Sequence, residues 1–117
     1  MMIFKGSGVA LATPFTENGI AYDTLEKLVE FQIENATDAL IACGTTGEPA
    51  TMTDEEQRSV IECVVKASAG RVPVIAGVGG NNTAHVISCA KAAQSAGADG
   101  LLAVTPYYNK CTNAGLI

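Results

Sequence analysis

The 117-residue sequence has no tryptophan, a single histidine and only seven lysine and arginine residues. Each shortage removes a class of function. With twelve acidic residues against those seven, the formal charge is -5. That excludes the basic patches by which proteins hold nucleic acid or anionic membranes. The four cysteines, Cys43, Cys63, Cys89 and Cys111, follow neither CxxC nor Cys/His spacing, so no metal set appears and no cofactor is expected. They read as reduced thiols of a cytoplasmic protein. No apolar run approaches the roughly eighteen residues of a membrane span, and residues 1–5 lack the start of a signal peptide. Neither secretion nor membrane insertion is expected.

What is present is apolar and well punctuated. Hydrophobic residues make up 48% of the chain and charged residues 16%, the composition of one globular unit. Continuous apolar runs at residues 9–12, 39–43, 72–76 and 101–104 read as strands buried on both faces. Three helical patterns lie between them. The first starts near Asp23 and buries Leu25, Leu28 and Val29, ending near Asn35. The second is announced by Thr53 and Glu56, spaced as a capping box, and carries Val60, Ile61, Val64 and Val65 on one stripe before Gly70. The third spans about 83–96, turns Val86, Ile87, Ala90 and Ala93 inward, and stops at Gly97.

The order βαβαβαβ implies parallel strands joined by right-handed crossovers. A doubly wound open sheet would be complete at about this length, whereas a (β/α)₈ barrel needs roughly 250 residues. On the barrel reading, four strands and three helices are the N-terminal half of one domain. Residues 114–117 look like the opening of a fourth helix, which makes truncation the expectation.

In either architecture ligands bind at the carboxyl ends of the strands. Polar segments follow all four: Thr13-Pro14; Gly44-Thr45-Thr46-Gly47-Glu48; Gly77-Val78-Gly79-Gly80-Asn81-Asn82-Thr83; and Thr105-Pro106-Tyr107-Tyr108-Asn109. The second suits a carboxylate, because flanking glycines bring backbone N–H groups close and two threonines add hydroxyls. The same spacing also suits an ordinary βα turn. The Gly77 to Gly80 segment matches neither the Walker pattern nor a well-placed GxGxxG. A phenol from Tyr107 or Tyr108 can pass a proton or bind a carboxylate, and one of the pair can reach a neighbouring subunit. Equally, both can be packing aromatics. His85 suits a solvent-facing or capping role, and Cys43 that of a small buried residue.

The segments Gly44-Thr45-Thr46-Gly47-Glu48 and Val104-Thr105-Pro106-Tyr107-Tyr108-Asn109 resemble the two signatures of the dihydrodipicolinate synthase family. Residues 8–15, 71–79 and 81–83 extend the likeness along the whole chain. The resemblance implies a (β/α)₈ barrel that condenses pyruvate with aspartate semialdehyde through a lysine imine, toward diaminopimelate and lysine. It implies that Thr45 and Tyr108 are catalytic members of a proton relay, Tyr108 acting in an adjacent subunit's site, and that Thr46 binds the pyruvate carboxylate. Ala50, Asn81, His85 and Tyr107 fall where members with feedback bind lysine. A homotetramer is implied for the full-length form. Pro49 after the turn and Cys111, where proline is common, depart from the family pattern without removing a reacting group.

The imine-forming lysine would lie beyond residue 117, and Lys5, Lys27, Lys66, Lys91 and Lys110 sit in no inward-facing strand position. These 117 residues are therefore expected to be catalytically silent. The competing readings are a related lyase acting on sialic acid or 2-keto-3-deoxy sugar acids, a non-catalytic half-barrel binding module, and an open-sheet nucleotide binder.

Overall fold

The computed structural model describes residues 2–117. In chain order the elements are β1 (Gly8–Ala10), β2 (Phe15–Thr16), β3 (Gly19–Ile20), α1 (Tyr22–Glu34), β4 (Ala39–Ala42), α2 (Asp54–Ser68), β5 (Val74–Gly77), α3 (Thr83–Ser95), β6 (Gly100–Leu102) and α4 (Asn113–Leu116). Strands β1, β4, β5 and β6 form one parallel sheet, side by side in that order. A doubly wound sheet reverses direction at a switch point, and this one never does. Three right-handed crossovers advancing one way place all three long helices on the same face, as in a barrel wall. Helix α2 accordingly packs between α1 and α3. The hairpin of β2 and β3 was not among the expected elements, since two-residue strands leave no periodicity to read.

Helix α2 begins as its sequence dictates. Thr53 Oγ1 accepts the Glu56 N–H at 3.2 Å, and the Glu56 carboxylate accepts the Thr53 N–H at 2.8 Å, so two orphan donors are satisfied reciprocally. Asp54, Glu55 and Glu56 then complement the positive end of the helix. The helix closes one residue before Gly70, with Ala69 taking the left-handed cap at φ 50°. Helix α3 is capped by Asn82, whose Oδ1 accepts the His85 N–H at 3.2 Å. Glu30 and Arg71 join α1 to the loop after α2 through a surface ion pair.

The core lies between sheet and helices. Leu25 and Val29 of α1, Val60 and Val64 of α2, and Leu40 and Val74 of the sheet are almost wholly buried, each contributing about 1.5–3 kcal/mol. Strand alternation sends Leu40, Ala42, Val74 and Ala76 into this cluster, leaving Ile41 and Ile75 on the other face, half-buried. Burial on both faces, expected from the continuous apolar runs, is thus complete on the helix side and partial on the other, where Ala39 and Gly77 are buried but Ile41 and Ile75 are not fully so. The edge strand departs furthest, with Leu101 47% and Leu102 49% exposed. Ile87 is also a correction. It is 52% exposed rather than inward-facing, because α3 ends the row and has a helix neighbour on one side alone. Ala93 is the one fully buried residue of α3.

Candidate active site

The carboxyl ends of the four parallel strands meet in a tightly joined layer. After β4 the chain turns through a single 3₁₀ turn, Thr45–Gly47, closed by the Gly47 N–H donating to the Gly44 carbonyl at 2.8 Å. Thr13, buried at the end of β1, donates its hydroxyl to the Gly47 carbonyl at 2.7 Å. The turn is anchored from beneath. Among the described residues, the hydroxyls of Thr45 and Thr46 make no hydrogen bond, and both residues are exposed. A second 3₁₀ turn, Pro49–Thr51, carries the exposed Ala50 and is braced by Gln57 of α2, which donates to the Pro49 carbonyl at 3.0 Å.

Two glycines let the strand ends approach this closely. A Cβ on Gly77 would lie 2.1 Å from the Cys43 carbonyl oxygen, and one on Gly79 would lie 2.5 Å from Val104 backbone nitrogen. Backbone therefore meets backbone from β4 to β5 and from the loop after β5 to the segment after β6. Cys43 itself is 3% exposed, and burial pushes its thiol up to about 12. At neutral pH it is a packed thiol and no nucleophile.

Three non-glycine residues of these loops, Cys43 (φ 54°), Glu48 (φ 55°) and Tyr108 (φ 67°), hold left-handed backbone. Such strain persists where surrounding structure over-determines it, and it clusters at functional sites. The Tyr107 N–H donates to Asn81 Oδ1 at 2.8 Å, strapping the fourth loop to the third. Tyr107 is 54% exposed and Tyr108 93%. The phenol of Tyr108 thus points away from its own chain's core. His85 Nε2 lies 2.8 Å from Asp54 Oδ2 at the start of α2, the surface placement its sequence position suggested.

A comparison of the sequence with known families matches residues 3–117 to the dihydrodipicolinate synthetase family (DHDPS). The chain belongs to that family. It is 57% identical over its whole length to a 4-hydroxy-tetrahydrodipicolinate synthase of Thermoanaerobacter sp. (strain X514), of which it covers 39%. Among solved structures, a chloride-inhibited dihydrodipicolinate synthase from Acinetobacter baumannii complexed with pyruvate superposes with a TM-score of 0.93 at 46% identity. That match covers 98% of this chain and 40% of the other. A DHDPS from Cyanidioschyzon merolae with lysine bound gives a TM-score of 0.88 at 40% identity, covering 95% and 39%. The one-directional sheet is accordingly the N-terminal half of a DHDPS (β/α)₈ barrel, and the chain spans about two fifths of the length of these relatives.

Of the residues singled out in the sequence, the DHDPS fold joins Asn81 to Tyr107 directly. It sets Thr45 and Thr46 on one turn, with Ala50 on the next. No hydrogen bond links the Thr45 hydroxyl to either phenol among the described residues. Thr13 escaped selection as a site residue, although its place at a strand end before Pro14 was a usable signal. Asp54 and Cys89, which converge on His85, escaped because Asp54 is 31 residues away and reads as an ordinary first-turn acid.

Proposed function

We propose that the full-length protein of which this chain is a part is a class I aldolase condensing pyruvate with aspartate semialdehyde. The observation that carries the reading is the Thr45–Gly47 turn. It presents two free hydroxyls at the carboxyl end of a barrel strand and is held from below by a buried bond from Thr13. A turn so braced offers a preorganised cradle for a carboxylate. The pyruvate bound to the Acinetobacter relative fits that chemistry.

In this scheme a lysine amine adds to the pyruvate ketone and water leaves, giving an imine. The imine nitrogen withdraws electrons, the methyl group loses a proton, and the resulting enamine carbon attacks the aldehyde. Thr46 and the turn backbone hold the carboxylate, while the Thr45 hydroxyl passes protons. Tyr108 completes the relay from a neighbouring subunit of a homotetramer; its outward phenol and left-handed backbone support that role. Asn81, Tyr107, Ala50 and His85 belong to a pocket for inhibitory lysine, supported by the Asn81–Tyr107 strap and by the lysine-bound relative. The protein works in the cytoplasm; all four cysteines are free.

The 117 residues supply the carboxylate turn and part of the relay, without the imine. Lys5, Lys27, Lys66, Lys91 and Lys110 are all exposed, on helices or loops, and none points into the cradle from a strand. Incubation of the chain with pyruvate and borohydride, followed by intact-mass measurement, tests this. No adduct is expected; a stable adduct on one lysine would refute the assignment of silence.

A further inference from the structure

Away from the carboxylate turn, three side chains of different donor chemistry converge on one point. Asp54 stands in the first turn of α2, and His85 and Cys89 stand one turn apart on α3. His85 Nε2 is 2.8 Å from Asp54 Oδ2 and 3.5 Å from Cys89 Sγ, and all three donor atoms lie within 4.8 Å of one another. Both partners address the same ring nitrogen. That nitrogen has either one proton or one lone pair, so hydrogen bonding serves one partner well and leaves the other as a bystander. A cation placed among them would serve all three.

The spacing about His85 is close to what such an ion needs, and the third pair, Asp54 and Cys89, lies within 4.8 Å. Bonds of about 2.0–2.3 Å to oxygen, nitrogen and sulfur in a tetrahedron separate the donors by roughly 3.4–3.6 Å. The 3.5 Å His–Cys separation already meets this, and the 2.8 Å Asp–His separation needs less than an ångström of rotamer adjustment. Spacing of i and i+4 aligns His85 and Cys89 on one helical face. Asp54 and Cys89 also border a cavity of about 70 Å³ between α2 and α3, which leaves a fourth coordination position open to water.

We propose that Asp54, His85 and Cys89 form a site for a borderline-soft divalent cation, Zn²⁺ being the natural occupant. A mixed nitrogen, sulfur and oxygen set favours such an ion over Mg²⁺ or Ca²⁺, which take oxygen alone. On binding, the Cys89 thiol gives its proton to solvent, His85 coordinates through the Nε2 lone pair, and the Asp54 carboxylate exchanges its hydrogen bond for the metal. The ion pins the first turn of α2 to the first turn of α3. Those two turns lead from the Pro49–Thr51 turn and from the loop whose Asn81 holds Tyr107, so occupancy stiffens the frame of both loops and withdraws the His85 ring from the proposed lysine pocket, leaving Ala50, Asn81 and Tyr107 to it.

The test titrates the purified chain with Co²⁺ and Zn²⁺, reading the thiolate-to-cobalt absorption band directly and Zn²⁺ by competition with a chromophoric chelator. One ion per chain is expected, with the band present. H85A, C89S and D54N should each weaken binding by more than about tenfold. C111S should bind as the parent does. Circular dichroism confirms that each variant keeps its helices, which is expected because Asp54 and His85 are surface side chains. A band that survives in C89S, a band lost in C111S, or an affinity unchanged by H85A would overturn the site.

Discussion

Replacing Gly77 with alanine should be among the most damaging single-methyl additions this chain can receive. The new Cβ would meet the Cys43 carbonyl oxygen at 2.1 Å, its carbon at 2.6 Å and the Gly44 nitrogen at 2.8 Å. All three are backbone atoms of β4's exit, so no side chain can swing aside. Ordinary contact would require the peptide after Cys43 to retreat by about 1 Å, straining the β4–β5 ladder next to Ala42 and Ala76. Overpacking of this kind costs about 1–3 kcal/mol, and a weakened ladder bond adds on the order of 1 kcal/mol. For a unit of this size each kcal/mol lowers Tm by about 4–8 °C, so a fall of 10 °C or more is expected. Thermal unfolding followed by circular dichroism measures it, with Gly70→Ala as the comparison. Gly70 has φ +73° but open space around it, so alanine there carries backbone strain alone, about 1–2 kcal/mol. If Gly77→Ala proved no worse than Gly70→Ala, the close approach of the strand ends would not be what holds this layer together.

Thr13→Val keeps the side-chain shape but leaves the buried Gly47 carbonyl without its 2.7 Å donor. It should cost about 1–3 kcal/mol and raise hydrogen exchange at the Gly47 and Glu48 amides, and protection equal to the parent would count against the anchoring role. Cys43 supplies a pH prediction. Its folded-state value of about 12 lies above the ordinary 9.0, so the folded chain keeps its proton longer than the unfolded chain does. Its contribution is complete below about pH 9 and is lost as pH rises toward 12, at up to about 1.4 kcal/mol per pH unit. Denaturation at stepped alkaline pH should show a shallower loss for Cys43→Ala than for the parent, and parallel curves would refute the assignment.

Much of this structure could be read in advance, and what could not has physical causes. Helix α2 was legible to the residue at its start because Thr53 and Glu56 specify both halves of the cap locally. The alternation of elements was legible because apolar runs and helical stripes have different periods. Periodicity alone left barrel and open sheet both open, since that choice depends on which edge each new strand joins; the two signature segments pointed to the barrel, and the order β1-β4-β5-β6 agrees. Ile87 was misplaced because a helical stripe says which face is apolar without saying whether a neighbour covers it. At the candidate site, the Thr45–Thr46 turn was visible as a motif. The supports beneath and beside it, Thr13 and the Asn81–Tyr107 strap, join residues 34 and 26 positions apart, so each residue stood in a visible polar segment while its pairing left no local trace.

The left-handed residues also say where this protein tolerates improvement. Ala36 and Ala69 adopt φ 62° and 50° just past the ends of α1 and α2, where glycine would relax the backbone by about 1 kcal/mol and nothing but a methyl group would be lost. Cys43, Glu48 and Tyr108 offer a similar relief, but there glycine would remove a packed thiol from beneath the candidate site and a carboxylate and a phenol from its rim. An engineer seeking a sturdier chain should take the first pair and leave the other three alone, and a stability screen that ignores function would choose all five.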